Sequence, residues 1–282
     1  MRSRRFSVRL QETSISRIVT SGMTMDRFAI ISDIHGNLHA LEAVLAEIDR
    51  LLITEVVCLG DIVGYGPFPH KCVDLVIRCC STIIRGNHDE AVINPEREIE
   101  FNGPAREAIM WTRGVLGPLH LDALSRLAET AHPHEDVVCI HDSPADGPMD
   151  YVHDTAAALE AFPAFSESMC LLGHTHIPIV FEAPRVAGDG TGDGHPAPAD
   201  ILASRPDSGV PVQLCPQRRH ICNPGSVGQP RDADPRASFA VLDMNDRTFT
   251  VHRTMYDIDA AQMATLKAGL PSVLADRLAI GA

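Results

Sequence analysis

Short apolar runs ending in polar loops alternate with helix-spaced apolar positions through the first half of the chain. Phe28-Ala29-Ile30-Ile31 is bounded by Ser32-Asp33-Ile34-His35-Gly36-Asn37, which predicts a buried strand followed by a loop. Leu38, Leu41, Val44, Leu45 and Ile48 recur at helical spacing, and Asn37 is placed to cap that helix. Val56-Val57-Cys58-Leu59 predicts a second strand. The stretch from Gly60 to Pro67, with glycines at 60, 64 and 66, predicts a loop. Pro69 opens a further helix with Val73, Val76 and Ile77 inward. Thr82-Ile83-Ile84 predicts a third strand, and Gly86-Asn87-His88-Asp89 follows it.

Residues 104–130 predict two helices separated near Gly117-Pro118, with Leu119, Leu124 and Leu127 on one face of the second. A strand over Asp136–Ile140 runs into His141, and a helix covers about 154–162. Met169-Cys170-Leu171-Leu172 leads into Gly173-His174-Thr175-His176. Ile179-Val180-Phe181 predicts another strand. From about 184 to 209 the chain is Gly-, Pro- and Asp-rich without periodicity, which predicts a partly mobile surface insertion. Short strands follow at 210–214 and 220–222, then a glycine-rich loop from Asn223 to Asp232. Ala240-Val241-Leu242 and Phe249-Thr250-Val251-His252 predict antiparallel strands around Asn245-Asp246. Helices broken at Gly269-Leu270-Pro271 finish the chain. With helices between strands early and strands dominant later, the pattern predicts two packed sheets with outer helices, as one α/β domain over residues 25–282.

Charge changes the picture most. The net charge is −13, yet residues 1–24 hold five Arg and one Glu, so residues 25–282 carry −17. That balance opposes non-specific binding to nucleic acid or anionic lipid. The basic first stretch lacks an apolar segment of secretory type and is expected to be a disordered extension. No apolar run approaches the ~20 residues of a membrane span. The eight cysteines form no C-x-x-C, and several sit inside apolar runs. They predict reduced core thiols and a cytoplasmic protein.

The candidate chemistry sits where predicted strands end. Side chains two apart in extended chain point the same way, so Asp33 and His35 are expected to reach one point beyond the first strand. A carboxylate beside an imidazole suits a first-row divalent metal, and His174 and His176 form a second such pair.

D-x-H, G-D-x-x-G, G-N-H-D, a lone His after a strand and G-H-T-H occur in that order. This series resembles the calcineurin-like metallophosphoesterases over about residues 26–280. Gly64-Tyr65-Gly66-Pro67, the loop from Asn223 to Asp232 and Tyr256-Asp257 resemble a small prokaryotic subgroup with phosphodiesterase-type activity. The resemblance implies a four-layer α/β/β/α sandwich with two metals at one sheet edge. It implies Asp33, His35, Asp61 and His176 on the first metal, and Asp61, Asn87, His141 and His174 on the second, with Asp61 bridging. It further implies His88 as the catalytic histidine, oriented by Asp89, and a metal-bridging hydroxide as nucleophile.

The elementary chemistry agrees. Two divalent ions and two aspartates leave a net positive site that attracts a phosphate ester inside an acidic protein. In-line attack also needs a proton donor on the leaving-group side, which suits an unligated histidine. Two Mn²⁺ ions are expected, with Ni²⁺, Co²⁺, Fe²⁺ or Zn²⁺ as alternatives. Arg231 is a candidate phosphate contact and Tyr65 a candidate for the mouth of the site. The remaining histidines carry no spacing argument. His141-Asp142-Ser143-Pro144 stands where the family commonly has His-Gly-Ser-Pro, and the protein phosphatases' Asp-Arg-Gly is absent, which argues against a phosphoprotein substrate. The expected partner is a small phosphate ester, a phosphodiester or nucleotide. The alternatives are a nucleotide pyrophosphatase or phosphomonoesterase with the same metals, and a non-catalytic scaffold. The sequence leaves a homo-oligomer open.

Overall fold

The computed structural model describes residues 26–145, 151–185 and 197–282. The expectations for residues 1–24, His195 and part of the insertion lie outside these residues. The chain runs through β1 (Arg27–Ile31), α1 (Leu38–Arg50), β2 (Glu55–Cys58), α2 (Pro69–Cys79), β3 (Thr82–Ile83), α3 (Asn87–Ile93), α4 (Gly103–Val115) and α5 (Pro118–Ser125). It continues with β4 (Thr130–His134), β5 (Val137–Ile140), α6 (Thr155–Ala161), β6 (Met169–Leu171), β7 (Pro178–Pro184) and β8 (Leu202–Ser204). The last elements are β9 (Pro211–Gln213), β10 (Arg218–Pro224), β11 (Ala237–Asp243), β12 (Thr248–Thr254), α7 (Ile258–Lys267) and α8 (Ser272–Asp276).

Strand alternation sets the layers. Phe28 and Ile30 of β1, with Val57 and Leu59, meet Val137, Cys139, Met169, Leu171, Val180 and Cys222 in a core between the sheets. Their neighbours Ala29, Ile31, Val56 and Cys58 face outward into a second core, with Leu41, Val44 and Ile48 of α1 and Val73 and Val76 of α2. Val138, Cys170, Phe181 and Ile221 face outward from the other sheet and pack against Ala157, Ala158 and Ala161 of α6. Successive residues of one strand therefore fill different cores, as a period of two requires. The result is the four-layer sandwich.

The first sheet has the order β3-β2-β1-β11-β12-β9 and the second β4-β5-β6-β10-β7-β8. β1, β2 and β3 run parallel, as do β5, β6 and β10. The loops after β1, β2, β3, β5 and β6 therefore leave at one end of the sandwich, and β10 brings the loop beyond Pro224 to the same end. In open parallel sheets that end is where ligands bind.

Several sequence expectations need correction. Residues 130–134 form a strand, β4, between the expected helices and the expected strand from Asp136, where no strand was expected; Pro133 hid it, and the strand tolerates that proline because it lies at the sheet edge with a register shift between Ala131 and His134. Ile77 was placed on an inward face but is 50% exposed, and Leu119, expected to share a helix face with the buried Leu124, is 84% exposed. Within the expected surface insertion, β8 extends the second sheet beside β7, and Ile201 is buried in the outer core with Phe162 and Phe181. A single apolar residue among glycines and prolines gives no periodicity, so that anchor was not visible.

Candidate metal centre

At the shared end of the sheets the chain leaves its strands through left-handed turns. Asp33, His35, Asp61, His174 and His176 have φ of 53°, 50°, 51°, 65° and 62°, a region that non-glycine residues seldom adopt. Asp33 and His35 do converge, but through these turns, and not through the extended alternation expected from the sequence. The turns are held by one another. The Asp33 amide donates to the Gly60 carbonyl at 3.1 Å, the His35 amide to the Asp61 carbonyl at 2.9 Å, and the Gly228 amide to the Asp33 carbonyl at 2.9 Å. The His174 amide donates to both Asp33 carboxylate oxygens at 3.1 and 3.2 Å.

Gly86 has a steric reason. A Cβ there would lie 2.2 Å from Asp61 Oδ1, so any larger residue would push Asp61 out of place. With glycine there, the His88 amide at the start of α3 donates to Asp61 Oδ1 at 2.8 Å. The other oxygen, Oδ2, is buried with no hydrogen-bond partner. It lies 3.6 Å from His35 Nε2 and 3.3 Å from His141 Nε2.

The seven expected ligands come together. Asp33, His35 and His176 offer atoms within 4.8 Å of one another, and so do Asp61, His141 and His174. His176 Nε2 lies 3.4 Å from Asp33 Oδ1, and Asn87 Oδ1 lies 3.2 Å from His141 Nε2. His35, Asp61 and His88 meet the same 4.8 Å criterion, so His88 borders the cluster directly.

The donor set fits cations. The Nδ1 atoms of His35, His141 and His176 face the carbonyls of Val63, Leu59 and Gln229 at 3.2, 2.7 and 2.6 Å. A carbonyl only accepts, so each Nδ1 carries a proton; the neutral rings of His35 and His176 turn an Nε2 lone pair inward, and His141 turns its Nε2 towards the Asp61 and Asn87 oxygens. His35 and His176 then face each other lone pair to lone pair at 3.1 Å. Only a cation between them makes that arrangement favourable. The carbonyl partner on the second ring nitrogen is also the usual way a protein fixes a metal-binding histidine.

Electrostatics follow from burial and proximity. Burial pushes His35 and His176 well below the ordinary histidine value and His174 down to about 3, so these rings are neutral at pH 7. Burial also lowers His141, but Asp61 and Asp33 outweigh it and raise that ring to about 10. Burial raises Asp33 to about 6 against the opposing pull of His141. At Asp61 burial is outweighed by His141, His88 and His35, and its carboxyl stays well below the usual range.

His88 stands apart. Its ring is packed among His35, Tyr65 and Phe101, with centroids at 4.7, 4.5 and 4.7 Å, and Nδ1 has no partner. Burial lowers it to about 4, so it is neutral at pH 7. The expectation that Asp89 orients it is not met. Asp89 Oδ1 accepts from the Val63 amide and Oδ2 from the Gly86 amide, each at 3.1 Å. Consecutive residues of a helix do not face each other, so Asp89 instead ties the loops that carry Asp61.

A cavity of about 290 Å³ opens over the cluster, lined among others by Tyr65, His88, Phe101, Tyr151, Arg231 and Arg277. Tyr151 stacks on His174 with centroids 4.0 Å apart. Arg231 Nη2 lies 3.4 Å from the Tyr65 hydroxyl and 3.3 Å from Gln229 Oε1. Both tentative positions, Tyr65 and Arg231, thus reach the cavity. Phe101, Tyr151 and Arg277 were missed, since isolated aromatics and arginines outside any motif carry no positional signal.

The comparisons with known proteins agree with this geometry. The model of the calcineurin-like phosphoesterase superfamily domain matches residues 27–247. The uncharacterised protein MJ0912 of Methanocaldococcus jannaschii is 33% identical over 270 residues, covering 92% of this chain and all of the relative. The crystal structure of a metallophosphoesterase from Sphaerobacter thermophilus superposes with a TM-score of 0.76 at 37% identity, covering 91% of this chain and 99% of that one. A hypothetical protein of Pyrococcus horikoshii shares the fold, with a TM-score of 0.69 at 18% identity, over 91% of this chain and 98% of that one. Five strand-end motifs, a buried cluster of inward lone pairs and these likenesses lead to one conclusion: the chain belongs to the calcineurin-like phosphoesterase superfamily, metal-dependent hydrolases of phosphate esters.

Proposed function

We propose that the protein hydrolyses small phosphodiesters or nucleotide-type esters with two divalent ions held at the strand ends. The observation that carries this reading is the inward pair of Nε2 lone pairs on His35 and His176, beside the unpartnered Asp61 Oδ2. Asp33, His35, Asp61 and His176 would hold one ion. Asp61, Asn87, His141 and His174 would hold the other, with Asp61 shared. Nitrogen and oxygen donors without a thiolate suit Mn²⁺, with Ni²⁺, Co²⁺, Fe²⁺ or Zn²⁺ as alternatives. Bound there, the ions supply an acidified water, its pKa lowered towards ~7, and positive charge against the phosphoryl oxygens.

The chain's own residues orient the ester and exclude water. Tyr65 and the rings of His88 and Phe101 wall one side of the cavity, and Arg231 presents a guanidinium that matches phosphoryl oxygens. His88 is neutral at pH 7 and brings one ring N–H to the mouth, where it donates to the phosphoryl or leaving-group oxygen. Asp89 acts through the backbone of Gly86 and Val63, which position Asp61 and the loop after it. The eight free cysteines favour a reducing compartment, the cytoplasm. Among the described residues no helix is long and apolar enough to cross a membrane.

The test compares His88→Asn with wild type, both Mn²⁺-loaded, on two diesters that differ only in leaving group. The variant is expected to keep its metal and lose ~10²–10⁴-fold in kcat, about 3–5 kcal/mol of transition-state stabilisation. A smaller loss with p-nitrophenolate than with an alkoxide marks a hydrogen bond from His88 to the leaving-group oxygen; equal losses mark a grip on the phosphoryl oxygens. Wild-type turnover in the presence of a chelator overturns the metal-dependent reading.

A further inference from the structure

Three guanidinium groups line the cavity over the strand-end cluster; Arg97 is paired with Glu100, whereas among the described residues Arg231 and Arg277 form no ion pair with a side-chain carboxylate. Arg231 is close enough to Asp33, His35, His88, His174 and His176 to act on all of them electrostatically. Its side-chain partners among the described residues are neutral, the Tyr65 hydroxyl and the Gln229 side chain, and its Nε is buried without a partner. Arg277 lies one step further out. It lines the same cavity and is close enough to Arg231 and Tyr65 to interact with both electrostatically.

The placement of Arg277 is built, not incidental. It opens the helical turn Arg277–Ala279, and its own Nε donates to a carboxyl oxygen of Ala282, the last residue of the chain. The Gly281 carbonyl accepts from the Ala233 amide at 2.9 Å, so this turn is docked on the loop that carries Arg231. Burial and the neighbouring Arg231 charge both disfavour the charged form of Arg277. Two like charges held together in a half-buried mouth, in a domain that carries −17 overall, cost stability unless an anion joins them. Other arginines outside the cavity find carboxylates: Arg113 with Glu98, Arg253 with Asp232.

We propose that Arg277, backed by Arg231, forms a second anion subsite that selects phosphate esters carrying a second phosphate group. The inference rests on the phosphoesterase reading above and narrows its substrate class. The first phosphate sits at the strand-end cluster, Arg231 lies between the two positions, and Arg277 grips the second with its planar fork. Arg277 is a specificity-determining residue, distant from the reacting atoms.

The test uses the full chain, Mn²⁺-loaded, titrated calorimetrically with methylphosphonate and with methylenebisphosphonate, neither of which contains an ester bond. Wild type is expected to bind the bisphosphonate at least ~10-fold more tightly, and Arg277→Gln to remove about tenfold of that preference, ~1.4 kcal/mol. The change for methylphosphonate should be much smaller. Arg277→Lys keeps the charge and should recover part of the preference; Arg277→Met should not. Equal losses for both ligands, or an unchanged preference in Arg277→Gln and Arg277→Met, overturn the subsite. Any chelation of Mn²⁺ by the bisphosphonate is common to all variants and cancels from the comparison. A protein that shows the Arg277-dependent preference yet hydrolyses no phosphate ester supports the subsite and refutes the phosphoesterase reading, so the two fail separately.

Discussion

Along β1, Phe28 and Ile30 fill the core between the sheets while Ala29 and Ile31 fill the core beneath the helices. Two residues further on, Asp33 has turned to a φ of 53° and its side chain meets histidines from distant loops. The interior and the rim obey different rules. In the interior the backbone is ordinary and side-chain shape decides, so stability accumulates there. At the rim five candidate ligands sit in left-handed backbone, a conformation that costs about 1–3 kcal/mol each. Such strain persists only where the surroundings over-determine it. Here the amides of Asp33, His35, His174 and Gly228 do so, each bonded to a neighbouring loop. The sandwich thus stabilises a rim that would not form alone, and the rim concentrates the polar groups that the interior excludes.

Breaking the interior should leave the rim's chemistry intact. Phe181 is fully buried in the outer core of the second sheet. Phe181→Ala should lower stability by about 3–5 kcal/mol, read as a shift in urea midpoint. Metal content per folded chain should be unchanged. Loss of metal in the folded fraction would show that the two regions are not separable in this way.

His220 sharpens the comparison from the other side, because it is a polar residue inside the apolar region. It lies on β10 fully buried, with neither ring nitrogen hydrogen-bonded. Burial, reinforced by Arg247, Arg218 and Arg185, pushes it down to about 4. The folded state therefore takes up this proton later than the unfolded chain does. The resulting stability is full above about pH 6.5 and is lost as pH falls towards 4, an effect on the order of 2–3 kcal/mol. His220→Leu should flatten that part of the pH profile relative to wild type, measured as Tm from pH 7 to pH 4.5. Identical slopes would show that His220 does not supply the acid sensitivity.

The same contrast explains what could be read from the sequence. Strand alternation is a local signal, so the sandwich and most of its strands were legible from runs such as Val56–Leu59. Edge strands were not, since β4 carries Pro133 and β8 is three exposed residues. The motifs around Asp33, Asp61, Asn87, His141, His174 and His176 were legible because each follows a strand. Their left-handed backbone was not, because Asp and His have no strong preference that announces it. The link from Asp89 to His88 came from the family resemblance, and helical geometry separates the two side chains. Arg277 has no local signature at all. Only the docking of its turn on the Ala233 backbone brings it to Arg231.

The central claim is that the inward-facing lone pairs and carboxylate oxygens hold two ions through one shared aspartate. Anomalous diffraction from Mn²⁺-loaded crystals tests it most directly. The account predicts two anomalous peaks per chain, one among Asp33, His35, Asp61 and His176, the other among Asp61, Asn87, His141 and His174. A single peak, or peaks bounded by other side chains, would contradict it.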